Sequence, residues 1–280
     1  MLELAGIQVD AVSVAGMETC IQLKQYGLCF DIGRCPRTAV RLPIVLVTHA
    51  HIDHLGGLAQ HVATRSLVGM PPPTYVMPTE IVKPVEHLLD AWRALDGSTL
   101  PCTLVGTRPG DEWSPRPDLL VRTFRSHHPV VTQGYVLNRR KKTLHPDLRG
   151  LSQSEIRQKR LAGEPVDFFV ETPEVAFTGD SRIEVLDHEP DLYRARLLLM
   201  EVTFLDDRIS PEKARSRGHI HLDDVLERAE HFENEAILFT HLSARYSPTE
   251  ALEILEKRLP AGLRDRVTLL LPPPEYKTRL

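Results

Sequence analysis

The 280-residue sequence predicts an α/β protein in layers, with two sheets sandwiched between helices. Three observations carry this reading. Short, wholly apolar runs such as Ile44–Val47, Leu197–Met200 and Ala236–Phe239 are typical of strands buried on both faces. Stretches with helical spacing lie between those runs. No linker-like composition divides the chain, so residues 1–280 are expected to form one domain.

The elements follow in order. Ile7, Val9, Val12 and Val14 alternate roughly, and Thr19–Lys24 and Gly27–Asp31 are β-type runs between glycines. Ile44–Val47 is a buried strand. Leu55–Val68 has helical spacing and is closed by Pro71–Pro73. Glu80–Leu95 reads as an amphipathic helix with Val82, Val85, Leu88, Leu89 and Trp92 on its buried face. Strands are expected around Thr103–Val105, Leu119–Phe124 and Gly134–Leu137.

Residues 139–160 change in character. Arg139, Arg140, Lys141, Lys142, Arg149, Arg157, Lys159 and Arg160 face only Asp147 and Glu155, a local excess of +6 in a chain whose net charge is −4, so the remainder carries −10. The segment 139–165 reads as a basic insertion of loop and helix, and Ser152 with Glu155 forms a capping box that opens its helix. Val175–Phe177 is a further strand. A helix is expected over Leu222–Phe232, and Ser247 with Glu250 caps another that runs to about Leu259, with Pro248 at its first position. Val267–Leu271 reads as a final strand.

Composition narrows the function classes. With 42% apolar and 26% charged residues, the chain can bury a core, which excludes a disordered or coiled-coil protein. The negative net charge excludes a wholesale nucleic-acid sleeve. No apolar run approaches the ~18 residues of a membrane span, and the N-terminus lacks the pattern of a signal peptide. Four cysteines without a CxxC pair point to a reducing cytoplasm.

The informative excess is histidine, 13 residues, and its pattern. His49-Ala50-His51-Ile52-Asp53-His54 would arise by chance roughly 0.002 times in such a chain. In extended backbone, residues two apart point the same way, so His49 and His51 can grip one cation, while Asp53 and His54, at the turn into a helix, can face a second. Three apolar runs end alike, at Thr48-His49, Thr178-Gly179-Asp180 and Thr240-His241, which adds Asp180 and His241. Taken alone, Asp180 would read as a turn residue and His241 as structural. One of His127 and His128 is a further ligand candidate, and on local pattern either could serve. Two divalent cations balanced by Asp53, Asp180 and a hydroxide leave the site at about +1, suited to an anionic substrate such as a phosphodiester. The His/Asp donor set fits zinc, with manganese as an alternative. Such ions would make a bound water a hydroxide nucleophile near neutral pH.

The order HxHxDH, His128, Asp180, His241 resembles the metallo-β-lactamase superfamily of dinuclear hydrolases. Further segments make the chain similar to the ribonuclease Z family of tRNA 3′-processing endonucleases, in its short plant-type form. They are Thr19-Cys20, Phe30-Asp31-Ile32-Gly33-Arg34-Cys35-Pro36, Gln133-Gly134-Tyr135, Glu201-Val202-Thr203-Phe204-Leu205-Asp206-Asp207, Gly218-His219-Ile220-His221 and His241-Leu242-Ser243-Ala244-Arg245-Tyr246. The resemblance implies the αββα metallo-β-lactamase fold, two mixed sheets flanked by helices. It implies one zinc on His49, His51, His128 and Asp180, and a second on Asp53, His54, Asp180 and His241. It implies that His219, helped by Glu201, donates a proton to the leaving 3′-oxygen, with His221 the weaker alternative and Asp53 essential. Without the family, Glu201 would read as a surface carboxylate. It implies precursor tRNA as substrate, cleavage 3′ of the discriminator to leave a 3′-hydroxyl, and a homodimer.

The chain departs from the bacterial family members in one place. Their long arm with a Gly/Pro tip, which grips tRNA, is replaced by the basic stretch 139–160, which reads either as a reduced arm or as a solvated loop and helix. Two other readings stay open on sequence. One is a hydrolase of a small phosphodiester such as a cyclic nucleotide, or of a thioester or lactone. The other is a non-catalytic RNA-binding protein.

Overall fold

The computed structural model describes residues 1–276. Its first sheet runs in chain order through β1 (Leu2–Leu4), β2 (Ile7–Val14), β3 (Glu18–Leu23), β4 (Leu28–Phe30), β5 (Ile44–Leu46), β6 (Thr74–Pro78) and β7 (Thr103–Thr107). Pairing is antiparallel from β1 to β4 and parallel from β4 to β7. The second sheet contains β8 (Glu112–Arg116), β9 (Leu119–Arg125), β10 (Gln133–Leu144), β11 (Asp167–Phe177), β12 (Leu197–Glu201), β13 (Ala236–Thr240) and β14 (Val267–Leu269). It repeats the scheme, antiparallel to β11 and parallel onward.

The helices lie in the crossovers. α1 (Ile52–Leu55), α2 (Leu58–Leu67) and α3 (Thr79–Asp96) serve the first half. α4 (Gln153–Leu161) sits between β10 and β11, followed by α5 (Val185–His188), α6 (Asp191–Arg194), α7 (Pro211–Ser216), α8 (Leu222–Leu226), α9 (Pro248–Arg258) and α10 (Ala261–Arg264). Both predicted capping boxes form, at Ser152 and at Ser247.

Alternation within each strand divides the apolar residues among three layers. Phe30, Leu46 and Val76 of the first sheet meet Tyr135, Phe177 and Leu199 of the second between the sheets. Val45, Tyr75 and Met77 face α2 and α3, while Leu198, Met200 and Phe239 face the helices of the second half. At the central layer Tyr135 Oη donates to the Val47 and Val76 carbonyls and accepts from Gln133 Nε2 at 2.7 Å. This ties the second sheet to the backbone of the first.

Parallel strands share an end. The carboxyl ends of β5, β11, β12 and β13 therefore open onto one edge, and β9, which runs with β11 because both are antiparallel to β10, opens there as well. Every candidate ligand follows one of these ends.

Three expectations need correction. First, the buried face of α3 is narrower than its apolar stripe. Val85 and Leu89 are buried, but Leu88 and Trp92 are 48% and 45% exposed. β7 is the edge strand of the sheet, so among the described residues no further strand covers the outer apolar row. Second, the expected helix over 222–232 stops at Leu226 and resumes as a 3₁₀ turn over Ala229–His231. The break lets the Phe232 ring reach Tyr193, at 5.1 Å between centroids, while Arg266 ties down the Phe232 and Asn234 carbonyls. Third, the basic segment begins as strand. β10 continues to Leu144 and pairs with β11 back to Asp167, a two-stranded ribbon whose far end carries α4. The returning strand brings Glu164, Asp167, Glu171 and Glu174, which cut the local excess from +6 to +2. Arg139, Arg140, Lys142, Lys159 and Arg160 all make ion pairs with them.

Candidate metal centre and active site

The loop after β5 passes from Val47 to Thr48 and His49, both fully buried. His51 follows in extended conformation, and α1 then places Asp53 and His54 in its first turn. The loops after β9, β11 and β13 bring His128, Asp180 and His241 to the same place. His49, His51, His128 and Asp180 offer ligand atoms all within 4.8 Å of one another, and so do Asp53, His54 and His241. Asp180 joins the two groups: its carboxylate oxygens lie 3.9 Å from His49 Nε2, 3.4 Å from His54 Nε2 and 3.3 Å from His241 Nε2. Asp53 Oδ2 is 3.7 Å from His54 Nε2 and 3.6 Å from His241 Nε2.

Two tests support a cation pair here. A tetrahedral ion with nitrogen ligands at ~2.0–2.1 Å sets those ligands ~3.3 Å apart. His49 Nε2 and His128 Nε2 stand 3.0 and 3.4 Å from His51 Nδ1. In addition, His54 Nε2 and His241 Nε2 are buried without a hydrogen-bond partner among the described residues, a costly state for two imidazole nitrogens unless something else engages them.

The ring orientations are set from behind. His49 Nδ1 is 2.9 Å from Thr48 Oγ1, His54 Nδ1 2.7 Å from Asp31 Oδ2, His128 Nδ1 2.9 Å from the Gly218 carbonyl and His241 Nδ1 3.0 Å from Thr203 Oγ1. Each partner holds the Nδ1 side of its ring and leaves Nε2 for the cluster, the arrangement that orients metal-binding histidines generally. Asp31 also accepts from the Thr48 amide at 2.7 Å and from the Thr48 hydroxyl. Backbone strain accompanies this: Asp31 and His241 have φ of 55° and 59°, a left-handed region that costs non-glycine residues of order 1–3 kcal/mol. Two glycines permit close approach. A Cβ on Gly179 would lie 2.9 Å from the Thr48 side chain, and one on Gly218 would lie 2.7 Å from His128 Nδ1.

Glu201 ends β12 and is 1% exposed. Its carboxylate accepts from the Ser181 and Ile220 amides, from Thr203 Oγ1 at 2.6 Å and from His219 Nδ1 at 2.9 Å. It is therefore no surface carboxylate: it is fully bonded, and His219 is left with Nε2 for a substrate. Burial opposes charge on His219, but Glu201 overrides it and lifts the pKa to about 9. Burial, and next the neighbouring His54, push His49 well below its ordinary value. His221 is buried and structural: Nε2 meets the Asp206 carbonyl, and Nδ1 caps α8 by accepting from the Asp223 amide. The His127 ring turns toward His188, 5.3 Å away, and belongs to no ligand group among the described residues.

His219 opens onto a cavity of about 1140 Å³ lined by Thr203, Phe204, Arg34, Arg208, Arg217, Arg245, Tyr246 and Tyr276. Asp31, Thr203 and this basic lining had no role assigned from sequence. Asp31 carried a signal in that it follows an apolar run, LCF, as the threonines follow theirs. Arg34 and Tyr276 are 242 positions apart, and no local pattern joins them.

Residues 32–242 match the family model described as the beta-lactamase superfamily domain. The chain is 42% identical to tRNase Z TRZ1 of Arabidopsis thaliana over 271 residues, covering 96% of each. It is 36% identical to the chloroplastic tRNase Z TRZ2 of the same plant over 258 residues, 91% of this chain and 73% of that one. Among solved structures, human tRNase Z, short form, superposes with a TM-score of 0.61 at 16% identity, covering 95% of this chain and 96% of that one. At that identity the likeness speaks for the fold, and it agrees with two mixed sheets flanked by helices.

Proposed function

The chain belongs to the beta-lactamase superfamily, in its tRNase Z branch, and from that premise we propose that it is a metal-dependent endoribonuclease that removes the 3′ trailer of precursor tRNA. The carrying observation is the convergence of seven candidate ligands, His49, His51, Asp53, His54, His128, Asp180 and His241, beside the Glu201–His219 pair. We propose two divalent cations in the grouping expected from sequence, with Asp180 between them, and zinc as the ion its donors suit best. Bound there, such ions supply Lewis acidity toward phosphoryl oxygens and acidify a water.

The chain's own groups supply the rest. Glu201 fixes the tautomer and direction of His219, so that Nε2 can hold a proton at the leaving 3′-oxygen. Asp53, held by the Gly16 amide at 2.9 Å, shapes the second ligand group. Arg217 and Arg245 line the cavity beside His219 and have no carboxylate partner among the described residues, so they suit backbone phosphates. The ribbon with α4 is proposed as a reduced tRNA-gripping arm. Among the described residues its cations without ion pairs are Lys141, Arg149 and Arg157, which fits a modest grip.

The same reading includes a homodimer, tested by light scattering. It also includes a cytoplasmic location, supported by four unpaired cysteines and tested by fractionation; no helix among the described residues is long and apolar enough to cross a membrane.

The deciding experiment incubates metal-loaded protein with a 3′-extended pre-tRNA and maps the product ends. Shortening to a 3′-hydroxyl next to the discriminator is expected, with Asp53→Ala inactive. Intact pre-tRNA after incubation with metal-loaded protein would refute the reading.

A further inference from the structure

Resting on the endoribonuclease reading above, we infer that Arg215 and Asp224 are positioning residues for the reaction: their ion pair fixes α7 against α8, and through α7 the turn that carries His219 to the leaving oxygen. Neither residue belongs to the metal cluster or to the Glu201–His219 pair.

His219 lies in the turn 217–221 between α7 and α8. Its amide donates to the Ala214 carbonyl at 3.0 Å, and the Gly218 amide donates to the Arg215 carbonyl at 3.0 Å. The backbone of His219 is thus an extension of the last turn of α7, and Gly218, at φ 81°, lets the chain double back. A helix of six residues does not hold itself together. Ala214 is the one buried residue of α7, and it packs in a small cluster with Phe204 and Ile209. The place of α7 therefore depends on what else grips it.

That grip comes from α8, which is itself anchored on several sides. His221 caps its first turn and meets the Asp206 carbonyl at 3.1 Å. Arg258 of α9 pairs with Asp223 and donates to the Leu205 carbonyl at 2.8 Å. Arg228, just past the end of α8, donates to the Asp224 carbonyl at 3.1 Å while its guanidinium pairs with Asp187 of α5 at 2.8 Å. From this fixed helix the Asp224 carboxylate reaches α7, where Oδ1 accepts from Arg215 Nη1.

The pair is a poor device for stability alone. Asp224 is 2% exposed, and its Oδ2 is buried without a hydrogen-bond partner among the described residues. Burial pushes its carboxyl up, and Arg215 beside it pulls it back down. Apolar residues of like volume are often as stable as a buried ion pair, or more so. What the pair adds is direction, because guanidinium and carboxylate meet in one geometry where an apolar contact tolerates sliding. Two side chains of the turn line the cavity, and they respond differently to a shift. Arg217 is long and exposed and can re-aim. His219 cannot: its Nδ1 is tied to Glu201 at 2.9 Å, so a displaced backbone moves Nε2 off its line to the leaving oxygen.

Arg215→Met combined with Asp224→Leu, in the full metal-loaded chain, separates direction from stability. Its thermal midpoint should equal or exceed that of wild type. On pre-tRNA, kcat should fall about 10- to 100-fold, the range for a reacting group misplaced by up to ~1 Å, with KM within about threefold. Arg215→Lys keeps the charge and should retain kcat within about fivefold. In a His219→Ala background the apolar pair should lower kcat by less than about twofold, because the group being positioned is already missing. If the apolar pair melts below wild type, the near-isosteric Asp224→Asn carries the same comparison, with kcat down about 10-fold. Wild-type kcat in the stable apolar variant overturns the inference. So does a full loss in the His219→Ala background, since the pair would then act by another route. Wild-type protein that cuts no pre-tRNA overturns the parent reading, and the positioning role with it; cutting that is indifferent to the pair overturns the positioning role alone.

Discussion

Replacing Asp31 with asparagine is expected to weaken metal binding ~10–100-fold without unfolding the protein. Asp31 is fully buried and stands behind the cluster rather than in it. It accepts from the Thr48 amide, the Thr48 hydroxyl and His54 Nδ1. Asparagine has the same shape and is among the residues most tolerant of the left-handed backbone found here, φ 55°. Its one oxygen can still accept from Thr48. Its amide nitrogen must then face His54 Nδ1, which turns that nitrogen into an acceptor and moves the ring proton to Nε2. A protonated Nε2 cannot ligate a cation. The His54 position is thereby lost, or the new amide must flip and leave the Thr48 amide unsatisfied. Loss of an outer partner to a ligating histidine costs about 10–100-fold in affinity, about 1.4–2.7 kcal/mol at 1.36 kcal/mol per tenfold. The assay is competition against a chromophoric chelator under anaerobic conditions, with urea melts of the metal-free forms beside it. Unchanged affinity in the variant would refute the claim that Asp31 sets the His54 tautomer. A metal-free form that is unfolded would refute the claim that asparagine fits the site.

The remaining expectations are independent of that one. His61 is fully buried, with Nε2 on the Ala39 carbonyl and Nδ1 on Tyr75 Oη; burial, and next Arg65, lower its pKa to about 4. Its folded value lies below the unfolded one near 6.5, so the stability it contributes is present above pH 6.5 and is lost as pH falls toward 4. Between pH 7.5 and 4.5 the metal-free protein should lose on the order of 2–3 kcal/mol through this group, and urea midpoints of His61→Asn should fall correspondingly less over that interval. Tyr135→Phe should cost ~1–3 kcal/mol, because the buried Val47 carbonyl and Gln133 amide each lose a partner; a denaturation midpoint equal to wild type would show that the tie between sheets is dispensable. Replacing Lys141, Arg149 and Arg157 together by alanine should raise KM for pre-tRNA, leave kcat unchanged and flatten the salt dependence by up to ~0.9 for each phosphate that is no longer neutralised; an unaltered salt slope would remove the ribbon from the tRNA-binding surface.

Local chemistry was enough to establish much of this protein. The parallel strands announced themselves because burial on both faces demands unbroken apolar runs such as IVLV at 44–47. Both capping boxes formed because their hydrogen bonds close within four residues. The candidate ligands were legible because a cation site needs particular donor atoms, and the strand ends that carry them repeat one pattern. Choices between chemically equal residues belonged to the tertiary structure. His127 and His128 are neighbours in sequence, and only the fold turns one toward His188 and the other toward His51. His219 and His221 differ because Glu201 reaches the first while the start of α8 takes the second. The outer stripe of α3 stayed exposed because the sheet stops at β7, and the charge of the basic segment fell because its partner strand returns acidic. The meeting of Tyr276 with Glu18 and Arg34 depends on two sheets packing face to face. A sequence reports what each residue can do within a few bonds of itself; which residues meet across 242 or 258 positions is decided by the packing of the whole chain.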